Sequence, residues 1–285
     1  MRQLESQSIK ILKPMLCQSI KDRVTKYNKN CLIIFVGETG SGKSYAALRM
    51  AEIIDPDFDI SRVHFDTEAF LTNVNNGRLD GTLKKGSVII YDEIGVGHSS
   101  RNFYDSVNKA LNFVFQSFRK DNFVVFMTAP KLKFIDIQVR ELAHQLIVPY
   151  KLDKEYNLLW CNSYMITKNE LMGKTYLIKP LVASDAGITK LSRFGVGLPS
   201  EKLRMEYEHK KKIFLDCLYQ EAIAKARISK VMTNMSLGIG DPKISANFTK
   251  ANNTDSPLFN KKTRRFMKFA GKINTQLDRN YNRPE

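Results

Sequence analysis

Residues 37–44 read Gly37-Glu38-Thr39-Gly40-Ser41-Gly42-Lys43-Ser44, a GxxxxGK[ST] run that follows the apolar stretch 31–36 and opens a helical stretch at Lys43. Its chemistry is phosphate binding. The glycines let the loop fold back so that successive backbone N–H groups and the start of the following helix converge on phosphate oxygens. Lys43 is expected to reach the β- and γ-phosphates and Ser44 to offer its hydroxyl to Mg²⁺, which makes ATP with Mg²⁺ the expected ligand.

A second run, Ser87-Val88-Ile89-Ile90-Tyr91-Asp92-Glu93, is an apolar strand that ends in two carboxylates. Asp92 is expected to hold the metal ion, commonly through water, and Glu93 to orient and deprotonate the water that attacks the γ-phosphate. That pairing points to hydrolysis rather than to phosphoryl transfer onto a metabolite. Thr128, at the end of the strand 122–128, is a candidate sensor of the γ-phosphate, with Gln116 a weaker one. Arg101, Arg119 and Arg140 are candidates for the cation that stabilises transition-state charge, and Arg140 is the best placed for a neighbouring subunit's site. His64, His98, His144 and His209 stand apart from one another and are assigned no role. Trp160, Tyr156 and Tyr164 fall on an alternating strand, where half-buried sheet positions compete with base stacking.

These side chains need a scaffold. From Cys31 to about Tyr150, short β-rich runs at 31–36, 62–66, 87–91 and 122–128 alternate with helical stretches, the pattern of an α/β domain with a parallel sheet. A helix is expected over 102–119, its stripe of Phe103, Val107, Ala110, Leu111, Val114, Phe115 and Phe118 covering that sheet. Strand-like pieces at 145–151, 156–166 and 175–179 are expected to form a small antiparallel extension. Residues 1–29 are read as an N-terminal helical segment broken at Pro14, with a docking role. The domain itself is placed at 30–198, followed by a charged helix over 199–228, read as exposed or lid-like, and a basic flexible tail over 229–285 with 11 basic residues against 4 acidic.

The chain of 285 residues carries 45 Lys and Arg against 29 Asp and Glu, a formal charge of +16, so a polyanionic partner is expected, nucleic acid or an acidic membrane surface. A hydrophobic content of 43% excludes a disordered chain. The apolar runs fall short of a membrane span and the N-terminus lacks the continuous apolar stretch of a secretion signal, which together lead to the expectation of a cytoplasmic protein. Cys17, Cys31, Cys161 and Cys217 are scattered, against a disulfide framework or a zinc site.

The GETGSGKS loop, the GSVIIYDE strand followed by GVGHSSR, the QSFRKDN helix end and the VVFMTAP strand resemble P-loop ATPases of mobile elements and archaeal lineages. In particular they look like the N-terminal ATPase domain of zonula-occludens-toxin-like proteins, related to the FtsK–HerA group of DNA-translocating motors. The resemblance covers about residues 31–150. It implies a RecA-like or AAA-like P-loop core in which Lys43 and Ser44 bind nucleotide and Mg²⁺ while Asp92 and Glu93 run hydrolysis. There are two departures: the chain shows no membrane-spanning run, and its strand ends in Thr128-Ala129-Pro130, where motors of the wider group often carry Gln. The expected function is a Mg²⁺-dependent ATPase acting on DNA in a plasmid or virus, as a homo-oligomeric motor or packaging-type enzyme. The alternative is an ATP-controlled switch in which hydrolysis times the association with a partner or a membrane, and peripheral membrane contact stays open.

Overall fold

The computed structural model describes residues 16–93, 114–115, 120–169, 171–184, 187–191 and 193–236. The chain divides into two compact units, Met1–Leu218 and Tyr219–Glu285. In the second, the described residues 219–236 are helical.

The first unit is built on one sheet. Its strands are β1 (Cys31–Val36), β2 (Val63–His64), β3 (Val88–Tyr91), β4 (Val124–Ala129), β5 (Gln145–Asp153), β6 (Leu158–Asn169), β7 (Lys174–Ile178) and β10 (Arg193–Gly197), in the order β10-β6-β5-β1-β4-β3-β2, with β7 also paired to β6. From β5 to β2 every pairing is parallel, whereas β6 runs antiparallel to β5, β7 and β10. The strands expected as a small antiparallel extension continue the main sheet, β5 pairing directly with β1 in parallel and β6 and β7 adding antiparallel strands beyond it. A short hairpin of β8 (Leu181–Ser184) and β9 (Gly187–Lys190) stands apart from it.

Helices cover both faces. They are α1 (residues 16–25), α2 (Lys43–Ile54), α3 (Thr67–Leu79), α4 (Ile137–Leu142) and α5 (Glu201–Ser236), which crosses into the second unit. The strands of the parallel core alternate strictly. Cys31, Ile33 and Phe35 of β1, Val88 and Ile90 of β3, and Val124 and Phe126 of β4 enter one apolar cluster with α1, α2 and the start of α5. Leu32 and Ile34, Ile89 and Tyr91, and Val125 and Met127 enter the other, with Phe70 of α3 and Val139 of α4. A sheet buried on both faces reads as continuous apolar runs, which is why these strands stood out in the sequence. Within the expected helix 102–119 only Val114 and Phe115 are described; both are helical, and Phe115 is buried against Phe70.

The charged helix differs from its expectation. It runs past 228 to Ser236, and one face of its first turns is buried, with Leu203 and Tyr207 inside the core cluster while Glu201, Lys202, Met205, Glu208 and His209 stay exposed. Tyr45, Phe65, Tyr207 and Phe214 form an aromatic seam between α2, the end of β2 and α5, including a stacked Phe65–Phe214 pair with centroids 5.1 Å apart. Lys210 adds two hydrogen bonds from Nζ, to the carbonyls of Ile60 and Val63. Among the described residues no helix is long and apolar enough to cross a membrane.

Candidate active site

The loop between β1 and α2 owes its shape to its glycines. Gly42, the residue before α2, has φ +86°, and a Cβ there would lie 2.8 Å from Leu159 of β6. Only glycine takes that conformation and that approach cheaply. A Cβ on Gly37 would meet the Ser41 hydroxyl at 2.7 Å. Glu38, Thr39 and Gly40 form the exposed rim of the loop, and Ser41 N closes it by donating to the Glu38 carbonyl. Lys43 folds back along the loop, its Nζ donating to the same carbonyl at 2.7 Å. Burial lowers the pKa of Lys43, the positive charge of Lys211 lowers it further, and Asp92 and Glu93 act against both.

Strand register brings the other parts together. Tyr91 pairs with Met127 and Phe35 with Thr128, so Asp92, one step beyond Tyr91, comes level with Thr128 at the end of the sheet where β1 delivers the loop. Asp92 and Thr128 continue the alternation of Ile90 and Phe126 and so point to the face covered by α2 and α5. Asp92 is fully buried. Its Oδ1 accepts hydrogen bonds from Ser44 Oγ at 2.8 Å and from Thr128 Oγ1 at 2.5 Å, and its Oδ2 accepts one from Tyr207 at 2.7 Å. Thr128 Oγ1 in turn accepts the backbone N–H of Glu93 at 2.8 Å. Thr128 thus links the Asp92 carboxylate to the backbone of Glu93.

Glu93 sits at φ +55°, a left-handed conformation that costs a non-glycine residue roughly 1 kcal/mol or more and that clusters at functional sites. Its carboxylate accepts from Lys211 Nζ at 2.7 Å, and the same ammonium lies 3.9 Å from Asp92 and donates to the Tyr207 hydroxyl at 3.1 Å. Burial, then the charge of Asp92, raises the pKa of the Tyr207 phenol well above its usual range, so it stays a neutral donor.

The structure thus brings Lys43, Ser44, Asp92, Glu93 and Thr128 together. Arg140 stands on α4, half-buried, with its Nε buried and without a hydrogen-bond partner. Arg101, Arg119 and Gln116 lie outside the described residues, as do the tail cations from Lys243 onward. Trp160 and Tyr164 are half-buried on β6, and Lys179 Nζ sits 3.9 Å from the centroid of the Tyr164 ring. His144 is structural: its Nδ1 accepts the N–H of Leu32 at 3.0 Å, closing the ladder at the start of β5. Sequence reading missed Tyr207 and Lys211 as site residues. Their signal was the stripe Leu203, Tyr207, Phe214 together with a lysine four residues after Tyr207, which marks a buried face without saying what it meets.

No family model matches the chain, and no curated protein matches it. Solved structures do. The N-terminal domain of zonular occludens toxin from Neisseria meningitidis is 13% identical, with 52% of this chain and 93% of that one covered at a TM-score of 0.33. The DNA-packaging ATPase of Sulfolobus turreted icosahedral virus is 14% identical, with coverages of 54% and 98% and a TM-score of 0.36. A KaiC-like protein of Pyrococcus horikoshii is 12% identical, with coverages of 57% and 90% and a TM-score of 0.33. The first of these is of the group that the motifs resemble.

Proposed function

We propose that this chain is a Mg²⁺-dependent ATP hydrolase that acts on DNA, as a motor or packaging-type enzyme of a plasmid or virus. The observation that carries the reading is the hydrogen bond from Ser44 to Asp92, which couples the phosphate loop to the carboxylate strand, with Glu93 next in the chain. A hydroxyl and a carboxylate 2.8 Å apart are the hard oxygen donors that suit Mg²⁺, which takes few protein ligands and completes its shell with phosphate and water. Ser44 and Asp92 would hold that ion, which when bound offsets phosphate charge.

The chain's own groups carry the rest. Lys43 would leave the Glu38 carbonyl for the β- and γ-phosphate oxygens. Glu93 would take the proton of the water whose oxygen bonds to the γ-phosphorus, while the bond from that phosphorus to the β–γ bridging oxygen breaks and ADP leaves. Action on DNA is supported by the +16 charge and by the cations after 229. The mobile-element setting rests on the motif resemblance. A switch reading has one observation in its favour, the direct contact of α5 with both carboxylates.

The test is phosphate release by the full chain with no DNA, with duplex and with single strands, beside a nucleotide titration of Lys43→Ala. The reading expects ATP turnover stimulated by at least one DNA form and no nucleotide binding by the variant. Turnover indifferent to DNA would favour the switch, and unchanged binding by the variant would remove the phosphate-loop assignment.

A further inference from the structure

Lys211 is the one described cation that reaches Glu93, and it reaches it from a helix outside the loop-and-strand core. It shares the face of α5 with Tyr207, one turn earlier, and that face is fixed by buried packing rather than left to sway. The side chain is 20% exposed and its partner Glu93 26%, and the same ammonium lies 3.9 Å from Asp92, whose carboxylate accepts from Ser44 at the end of the phosphate loop. Lys43 feels the charge of Lys211 directly. Two ammoniums, Lys43 and Lys211, stand beside two carboxylates, Asp92 and Glu93, next to the phosphate loop. A triphosphate bound there brings negative charge to within reach of Asp92 and Glu93, which repel it, and Lys43 already serves the loop side.

We propose that Lys211 is a second phosphate-binding cation, acting in cis on the γ-phosphate and exchanging Glu93 for it when a triphosphate binds. The exchange releases Glu93 to accept the proton of the attacking water, so the base becomes free only when its substrate is present. A lysine suits the task, since its long flexible stem lets a single point charge swing between two anions. Such a residue supplies within one chain the charge that sequence reading sought from Arg140 of a neighbour.

The inference rests on the hydrolase reading, and the experiment separates the two. The full-length chain and its variants Lys211→Ala and Lys211→Arg are titrated with ADP and with a non-hydrolysable β,γ-methylene analogue of ATP, in Mg²⁺, and their turnover of ATP is measured alongside. Lys211→Ala is expected to bind ADP within about twofold of the wild type, to lose tenfold or more for the triphosphate analogue, and to lose most of its turnover. Lys211→Arg is expected to regain part of the triphosphate preference. Equal effects on both nucleotides, no effect on either, or faster turnover in Lys211→Ala would overturn the proposal, the last by making Lys211 a brake on Glu93. A wild type that binds neither nucleotide would instead overturn the phosphate site itself.

Discussion

Asp92 is held by three donors from three elements, Ser44 of α2, Thr128 of β4 and Tyr207 of α5, and loss of any one should move a fully buried carboxylate. Thr128→Val keeps the shape but removes a donor to Asp92 and an acceptor for Glu93 N–H; it should cost about 1–3 kcal/mol of stability. Turnover should fall on the order of a hundredfold, because both carboxylates shift. Thr128→Ser should restore both. Thermal unfolding and phosphate release on the two variants check this, and a Val variant with native turnover would show that Thr128 positions nothing. Gly42→Ala should cost about 1–2 kcal/mol from its positive φ alone, before Leu159 is displaced. The types and spacing of residues 37–44 and 87–93 made this chemistry legible. Thr128 was legible as a strand-end hydroxyl, but its choice of partner was not, because it depends on a register between β3 and β4 that no local pattern encodes.

At the scale of elements, the buried parallel strands were the easiest to read, since each is a short run of β-branched and aromatic residues. Helix α3 was harder. It buries only Thr67, Phe70, Val74 and Gly77, and its clearest signal is the Asp66 side chain accepting the N–H of Ala69. The strands β8, β9 and β10 are four or five residues long and carry too little periodicity to stand out. Helix α5 was read as exposed because charges dominate its sequence; Lys210 escapes that reading by burying its stem and ending on two carbonyls. If α5 belongs to the site, Leu203→Ala should lower stability by about 2–5 kcal/mol and weaken the hold of Tyr207 and Lys211 on the carboxylates. Chemical denaturation measures the first effect. A drop below about 1 kcal/mol would mean that the helix is only loosely seated.

The whole molecule carries its charge and its pH response. Burial, then the charge of Lys210, lowers His64 to about 4, and burial, then the charge of Arg23, lowers His144 to about 4, against 6.5 for an ordinary histidine. Below about pH 6.5 the unfolded chain therefore takes up protons that the folded chain refuses, so stability should fall as the pH drops toward 4. Melting temperatures across that window should decline, and His144→Gln should decline less steeply; identical slopes would remove His144 from the account. The cations Lys261, Lys262, Arg264 and Arg265 lie outside the described residues, but their charge has a measurable consequence. If they meet duplex DNA, replacing them with Gln should reduce the log–log salt slope of binding by about 0.9 for each DNA phosphate that is no longer neutralised. An unchanged slope would assign any DNA binding to the core.

The most direct measurement on the central claim is Glu93→Gln in the full chain, with nucleotide affinity and phosphate release taken on the same preparation. The amide keeps the size of the side chain and loses the base. The account predicts ATP binding close to the wild type and turnover reduced by about a hundredfold or more. Hydrolysis at the wild-type rate would contradict it and place the water-activating group elsewhere.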